Sequence, residues 1–183
     1  MPRPTLTTER LALRPFTPDD APAIQRLASD RAIAASTLLI PHPYPEGAAA
    51  EWITGHDDTS HNHIFAIAPR EGGEAMGAIG LHVDSNHDRA EIGYWIGVPY
   101  WNRGYVTEAA KAIVEYVFNT LNLNRVFAFH FTQNPASGRV LQKIGMKREG
   151  TMRQHIVKWG EHVDVDYYGA VREEWGIVGK SSM

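Results

Sequence analysis

The spacing of apolar and polar positions changes several times along the chain, and each change marks an element. Within residues 6–16, Leu11 and Leu13 alternate with Ala12 and Arg14, which predicts a strand with one buried face, closed by Pro15. Thr17-Pro18-Asp19-Asp20 then supplies a hydroxyl cap, a proline at the first helical position and acids in the first turn. Ile24, Leu27 and Ala28 follow at helical spacing, so a helix runs to about Asp30. Residues 32–44 are irregular, and Pro45-Glu46 opens a second helix through Ala49, Trp52 and Ile53. Three strand-like runs, 63–68, 75–83 and 89–98, are separated by Glu71-Gly72-Gly73 and a polar turn at 84–88, the pattern of an antiparallel meander. Residues 104–121 carry Ala109, Ala110, Ile113, Val114 and Val117 on one stripe, a strong amphipathic helix. A hydrophobic strand at 125–132 follows, and Asn134-Pro135 starts a short helix through Leu141 and Ile144 that Gly145 ends. Two terminal strands, 146–159 and 162–171, flank a turn at Gly160.

This order predicts an α/β (α+β) fold with a mixed, mostly antiparallel central sheet of about seven strands flanked by about four helices. A length of 183 residues fits one domain, expected over 1–178 with a short tail at 179–183. With 43% hydrophobic and 21% charged residues the chain has material for a core, which excludes general disorder. A net charge of -3 gives no general attraction to nucleic acid or anionic membrane. The absence of cysteine removes disulfides, thiolate metal sites and cysteine nucleophiles. Residues 1–10 lack the apolar stretch of a secretory signal and no run is long enough to span a membrane, so a cytoplasmic protein is expected.

Chemistry concentrates in two places. On the run 89–98, Ala90, Ile92, Tyr94, Ile96 and Val98 share one face, and Glu91, Gly93, Trp95 and Gly97 share the other. Repeated glycine weakens a strand and often marks the close approach of a ligand or another backbone. That strand leads into Asn102-Arg103-Gly104-Tyr105-Val106-Thr107 at the head of the long helix, where unpaired N–H groups and a partial positive charge suit phosphate. The second place is Asn134-Pro135-Ala136-Ser137, where on the residues alone a helix cap at Asn134, with Ser137 satisfying the first turn, is the stronger reading. The run His56-Asp57-Asp58-Thr59-Ser60-His61-Asn62-His63 has metal-ligand residue types without a metal-site spacing, and a solvated loop is the stronger reading. No Gly-x-Ser-x-Gly or Gly-x-Gly-x-x-Gly sequence occurs.

Taken together, Glu91-Ile92-Gly93-Tyr94-Trp95-Ile96, Tyr100-Trp101-Asn102-Arg103-Gly104-Tyr105 and Thr107-Glu108-Ala109 resemble the GNAT superfamily of N-acetyltransferases, in the branch of the ribosomal-protein N-terminal alanine and serine acetyltransferases. Thr8-Glu9-Arg10-Leu11 at the start and Arg172-Glu173-Glu174-Trp175 near the end extend the resemblance over nearly the whole chain. Two positions depart from the superfamily pattern: Trp101 stands where Gln or Arg is common, and Val106 where Gly or Ala is usual.

The resemblance implies a central sheet whose splayed strands form an acyl-CoA slot, with acetyl-CoA as cosubstrate and no metal. It implies direct transfer, in a ternary complex, to a primary amine on a protein N-terminus or a small molecule. Ile96, Gly97 and Val98 would pair with the pantetheine arm, and Asn102, Arg103, Gly104, Tyr105, Val106 and Thr107 would hold the pyrophosphate. Asn134 would contact pantetheine, Ser137 would protonate the departing sulfur, and Glu91 would relay the amine's proton through water. An α-amine with a pKa of about 7.7–8.0 needs far less help from such a base than a lysine near about 10.4. For Glu91, an ion pair with Arg89 or Arg125 is an equally good reading of the residues. The acceptor would be shaped by residues 36–44 and 151–159, and the exposed terminal strand pair near 163–171 would support a homodimer. The alternative functions are a non-catalytic acyl-CoA-binding or sensing module and, further behind, metal-dependent hydrolysis through the histidine-rich run.

Overall fold

The structure, a computed structural model, describes residues 4–55 and 61–178. The first strand expected from the alternation is a hairpin of β1 (Leu6–Thr7) and β2 (Leu11–Arg14). Thr8 makes the turn: its N–H donates to Leu11 O at 2.9 Å, and its Oγ1 accepts from Leu11 N at 3.0 Å. The expected first helix begins as a 3-10 turn at Pro18–Asp20 and continues as α1 (Ala21–Ala28). Asp20 is buried there and held by both guanidinium nitrogens of Arg14 at 2.7 Å. The stretch read as irregular contains α2 (Arg31–Ser36), because the Asp30 carboxylate caps Ala32 N at 2.8 Å and Ile33 and Ala34 find buried positions. The second expected helix is α3 (Ala48–Thr54).

The meander is β3 (Asn62–Pro69), β4 (Gly77–Asp84) and β5 (Arg89–Ile96). A second 3-10 turn at Val98–Tyr100 leads to the long helix α4 (Tyr105–Asn119), followed by β6 (Arg125–Phe131) and α5 (Pro135–Lys143). The chain then forms β7 (Lys147–Lys158), β8 (Glu161–Val171) and α6 (Arg172–Val178). Among the described residues, eight strands and six helices therefore stand where about seven and four are expected. The extra elements are short pieces fixed by single caps and turns, which hydrophobic period alone does not resolve.

The sheet order is β1-β2-β3-β4-β5-β6-β8-β7, and every neighbouring pair is antiparallel except β5 and β6. One face carries α4 and α5 over the main core, where Ala109, Ile113 and Val117 meet Phe65, Ile79 and Ile92. The opposite face carries α1 and α3, which pack Ile24, Ala49 and Ile53 on Ala66, with Trp95 at the margin. The strand at 163–171 is internal, between β6 and β7, so the free edge at that end belongs to β7. No helix among the described residues is long and apolar enough to cross a membrane.

The feature that positions the site is the parallel pair. β5 and β6 are in register only at Arg89↔Arg125, Ala90↔Val126 and Glu91↔Phe127. Beyond that point β5 stays bonded to β4 as far as Gly77↔Ile96, and β6 stays bonded to β8 as far as Phe131↔Val165. The two strands part into a fork that opens toward the N-termini of α4 and α5.

Candidate active site

Gly104 caps α4 in the left-handed region, with φ +79, and offers no side chain to its first turn. The first closed helical bond is Glu108 N to Gly104 O at 3.0 Å, so the N–H groups of Tyr105, Val106 and Thr107 point out of the helix end. Such a terminus attracts anions. Asn102, exposed at φ +60, makes the preceding tight bend that Asn tolerates, and Arg103 is exposed beside it. Val106 packs its side chain partly against the main core, which leaves its backbone facing outward despite the β-branch.

A distant residue braces this loop. Arg10 donates from its backbone N to Glu108 Oε1 at 2.8 Å and from Nε to Glu108 Oε2 at 2.7 Å. Its Nη1 bonds Arg103 O at 3.0 Å, and its guanidinium lies 4.7 Å from the Tyr105 ring centroid. Thr8 Oγ1 adds a 2.6 Å bond to Glu108 Oε1. A Cβ on Gly104 would sit 3.4 Å from Arg10 Nη2. These donors hold the Glu108 carboxyl below the usual carboxylate range against the opposing effect of burial. Thr8, Arg10 and Glu108 stand out in the sequence as parts of two motifs, but nothing local shows that the motifs meet.

At the fork, β5 ends at Ile96. Its carbonyl accepts the Trp101 indole N–H at 2.7 Å, while Gly97 N donates to Met76 O and Gly97 O receives Tyr100 N. Glu91 sits at the last paired position of β5 and β6, on the face toward α1 and α3, with His82 opposite on β4. Arg89 pairs with Asp84 and Arg125 with Glu149, so the two ion pairs weighed for Glu91 are formed with other carboxylates. Burial pushes the Glu91 carboxyl upward, with the charges of His82 and Arg89 opposing. Around it, Tyr167 stacks on Phe129 at 5.4 Å and meets His155 at 6.1 Å, and burial together with the Glu91 charge raises the Tyr167 phenol.

On the opposite face, Asn134 caps α5 through its Oδ1, which accepts Ser137 N at 3.3 Å. Ser137 faces the gap, and its Oγ lies 2.8 Å from the hydroxyl of Tyr94 on β5. The sequence marks Tyr94 only as a member of the core face of its strand. The structure therefore brings Glu91 and Ser137 to two sides of one opening, with Ile96, Gly97 and residues 102–107 along its length.

The two tracts expected to choose the acceptor also meet. Lys158, at the end of β7, donates to Leu38 O at 3.3 Å and Ile40 O at 3.5 Å, and Arg31 lies 5.2 Å from the Trp159 ring centroid. Of the histidine-rich run, residues 56–60 lie outside the described residues; His61 approaches Val83 O at 3.3 Å and His63 lies against the Tyr116 ring.

Comparison with known proteins matches residues 10–147 to the acetyltransferase (GNAT) domain family. The chain is 34% identical over 172 residues to the uncharacterized N-acetyltransferase YoaA of Bacillus subtilis, covering 92% of this chain and 97% of that one. Among solved structures, a GNAT-family acetyltransferase from Bacillus anthracis superposes with a TM-score of 0.84 at 28% identity, covering 93% of this chain and 99% of that chain. RimL, a ribosomal L7/L12 alpha-N-protein acetyltransferase in complex with coenzyme A, shares the fold with a TM-score of 0.84 at 17% identity, covering 93% and 99%. The forked sheet, the uncapped head of α4 and these matches make the chain a member of the GNAT acetyltransferase family.

Proposed function

We propose that this protein transfers the acetyl group of acetyl-CoA directly to a primary amine, within a ternary complex. The observation that carries the reading is the β5–β6 fork, with Glu91 on one face of the sheet and Ser137 on the other. A cosubstrate laid along the fork reaches the head of α4 with its pyrophosphate, where Arg103 and the N–H groups of Tyr105, Val106 and Thr107 meet the phosphate oxygens. Its pantetheine arm lies beside Ile96, Gly97 and Val98 and under Asn134. The carbonyl oxygens of residues 96–98 each accept one bond already, and their second lone pairs remain for the arm.

The amine enters from the Glu91 face, among Phe129, Tyr167 and His155. Glu91, whose carboxyl burial pushes upward toward the range of a better base, takes the amine's proton through a water as nitrogen attacks the thioester. Developing negative charge on the thioester oxygen is met by backbone N–H groups near Ile96. The sulfur leaves on the other face, toward the Ser137 hydroxyl. RimL, named as a ribosomal-protein N-terminal acetyltransferase bound to coenzyme A, supports both the cosubstrate and a peptide α-amine as acceptor.

The test is a melting curve with acetyl-CoA on the native protein and on Gly104→Asp, followed by a turnover panel of alanine- and serine-terminated peptides, amino acids and polyamines. Acetyl-CoA at 100 times its dissociation constant stabilises a folded protein by about 2.7 kcal/mol. The native protein is expected to gain that and the variant to gain nothing. Binding without turnover on any amine would make the protein a cosubstrate-binding module, and no response in either protein would remove the acyl-CoA reading.

A further inference from the structure

The contact between Tyr94 and Ser137 closes a gap that the sheet itself leaves open. Three residues beyond the last pairing of β5 with β6, the Tyr94 side chain crosses the fork to the first turn of α5. Its hydroxyl lies 2.8 Å from Ser137 Oγ and 3.3 Å from Ser137 O, a pair joined over 43 positions of sequence. Ser137 Oγ is thus held against a fixed phenol at the fork.

The acidities decide which way the hydrogens point. An alkyl hydroxyl resembles water, with a pKa of about 15.7, while a thiol sits near about 8.5. Complete proton transfer from Ser137 to a departing thiolate would therefore be uphill by about seven powers of ten. A serine hydroxyl can still donate a strong hydrogen bond to that charge. Burial pushes the Tyr94 phenol up to about 12, which keeps it protonated at neutral pH yet still a better donor than an alkyl hydroxyl. Of two hydroxyls at 2.8 Å, the phenol is the stronger donor and the serine oxygen the better acceptor.

We infer that Tyr94 is a positioning residue: its hydroxyl donates to Ser137 Oγ and thereby turns the Ser137 hydrogen into the fork, where the two hydroxyls in series stabilise a thiolate. The inference rests on the acyl-CoA reading above. In the transfer step the carbon–sulfur bond breaks and the electron pair stays on sulfur. The Tyr94–Ser137 chain donates hydrogen bonds without losing a proton. The thiolate takes its proton from solvent on release, balancing the one the amine gave up through Glu91. Nearby titratable groups are His130, whose Nε2 would lie 2.7 Å from a Cβ on Gly138, and Tyr168, whose ring is 5.6 Å from that imidazole.

Free coenzyme A reads the chain without any acceptor amine. Its affinity is measured from pH 6.5 to 9.5 in native protein, Tyr94→Phe, Ser137→Ala and the double variant, each divided by the affinity for acetyl-CoA. The division cancels titration of the protein and of the phosphates, because only the thiol differs. A hydrogen bond to a charged group is worth about tenfold or more, so native protein is expected to gain about tenfold for coenzyme A as pH rises, levelling above the free thiol's pKa of about 8.5. Tyr94→Phe and Ser137→Ala each lose most of that gain, and the double variant loses no more than either one, the mark of a coupled pair. In addition, 3-fluorotyrosine at position 94 keeps the shape but sharpens the donor, and shifts the rise to lower pH.

Five results overturn the inference. Tyr94→Phe keeping the native rise would do so, as would losses in the two single variants that add in the double. A fluorotyrosine protein that titrates like the native one would do the same, whether or not Tyr94→Phe folds. Native protein that binds both ligands with no pH-dependent preference leaves the acyl-CoA reading standing and removes the hydroxyl chain, whereas native protein that binds neither removes both.

Discussion

At the head of α4, the groups that would meet phosphate lie in one stretch, residues 102–107, and follow from local rules: a left-handed glycine, a tolerant asparagine and an uncapped helix start. At the fork, nothing is local. Glu91 and Tyr94 belong to one strand and Ser137 to a helix beyond the next, and they share a site only because β5 leaves β6 after three pairs. On the proposed reading the first region would bind by backbone, braced from outside. The second would act by side chains and depends on topology, so one would be robust to its own side-chain identities and the other would not.

The sharpest way to break this contrast is Glu91→Gln, expected to slow transfer by about a hundredfold while leaving acetyl-CoA affinity unchanged. The pH profile separates roles. Native activity falls as pH drops through the Glu91 pKa, which burial holds above the ordinary glutamate range, and the variant keeps only the limb of the amine. The sign for stability is opposite. A carboxyl raised in the folded state favours folding while protonated, and that contribution is lost as pH rises through its pKa. Glu91→Gln is therefore expected to melt higher than native protein at pH 7 and lower in rate, and a variant that is both slower and less stable would count against the base.

A smaller effect tests the backbone region. Gly104→Ala forces a Cβ into φ +79, at a cost of about 1 kcal/mol, and places it against Arg10. The expected outcome is about tenfold weaker acetyl-CoA binding with an unchanged maximal rate. Weakest of all is Arg10→Gln. It removes an exposed brace from the loop, so calorimetry should find acetyl-CoA binding weakened by about threefold and growing more salt-sensitive, because exposed pairs contribute little. A loss larger than that of Gly104→Ala would mean that Arg10 touches phosphate itself.

How far the sequence reaches follows the same division. The periods of β3 to β5, α4 and α5 are strong because their apolar stripes face one core, and their bounds differ from expectation by a few residues. The glycine at the head of α4 and the Asn134 cap are legible for the same reason, each being a local conformational rule. The turn at Thr8, the helix behind Asp30 and α6 are not legible, since each depends on one cap or one packed side chain. Glu91 can be placed on its face by parity, but that Arg89 and Arg125 pair with other carboxylates is fixed by residues outside the strand and is not legible in it. Tyr94 is missed because the parity that makes it core also hides a hydroxyl that reaches past the core.

The fork also divides the molecule mechanically. β4 and β5 are joined at eight paired positions and β6 and β8 at seven, whereas the seam between the two groups has three. Ladder bonds are the cooperative ties of a sheet, so the chain contains two half-sheets, β1 to β5 and β6 to β8, stitched at one end and spanned by α4. A strand-like arm lying in the opening, as proposed for the cosubstrate, would supply the missing rungs. Cosubstrate would then be the last strand of the fold, and every release of product would briefly return the protein to two loosely coupled halves.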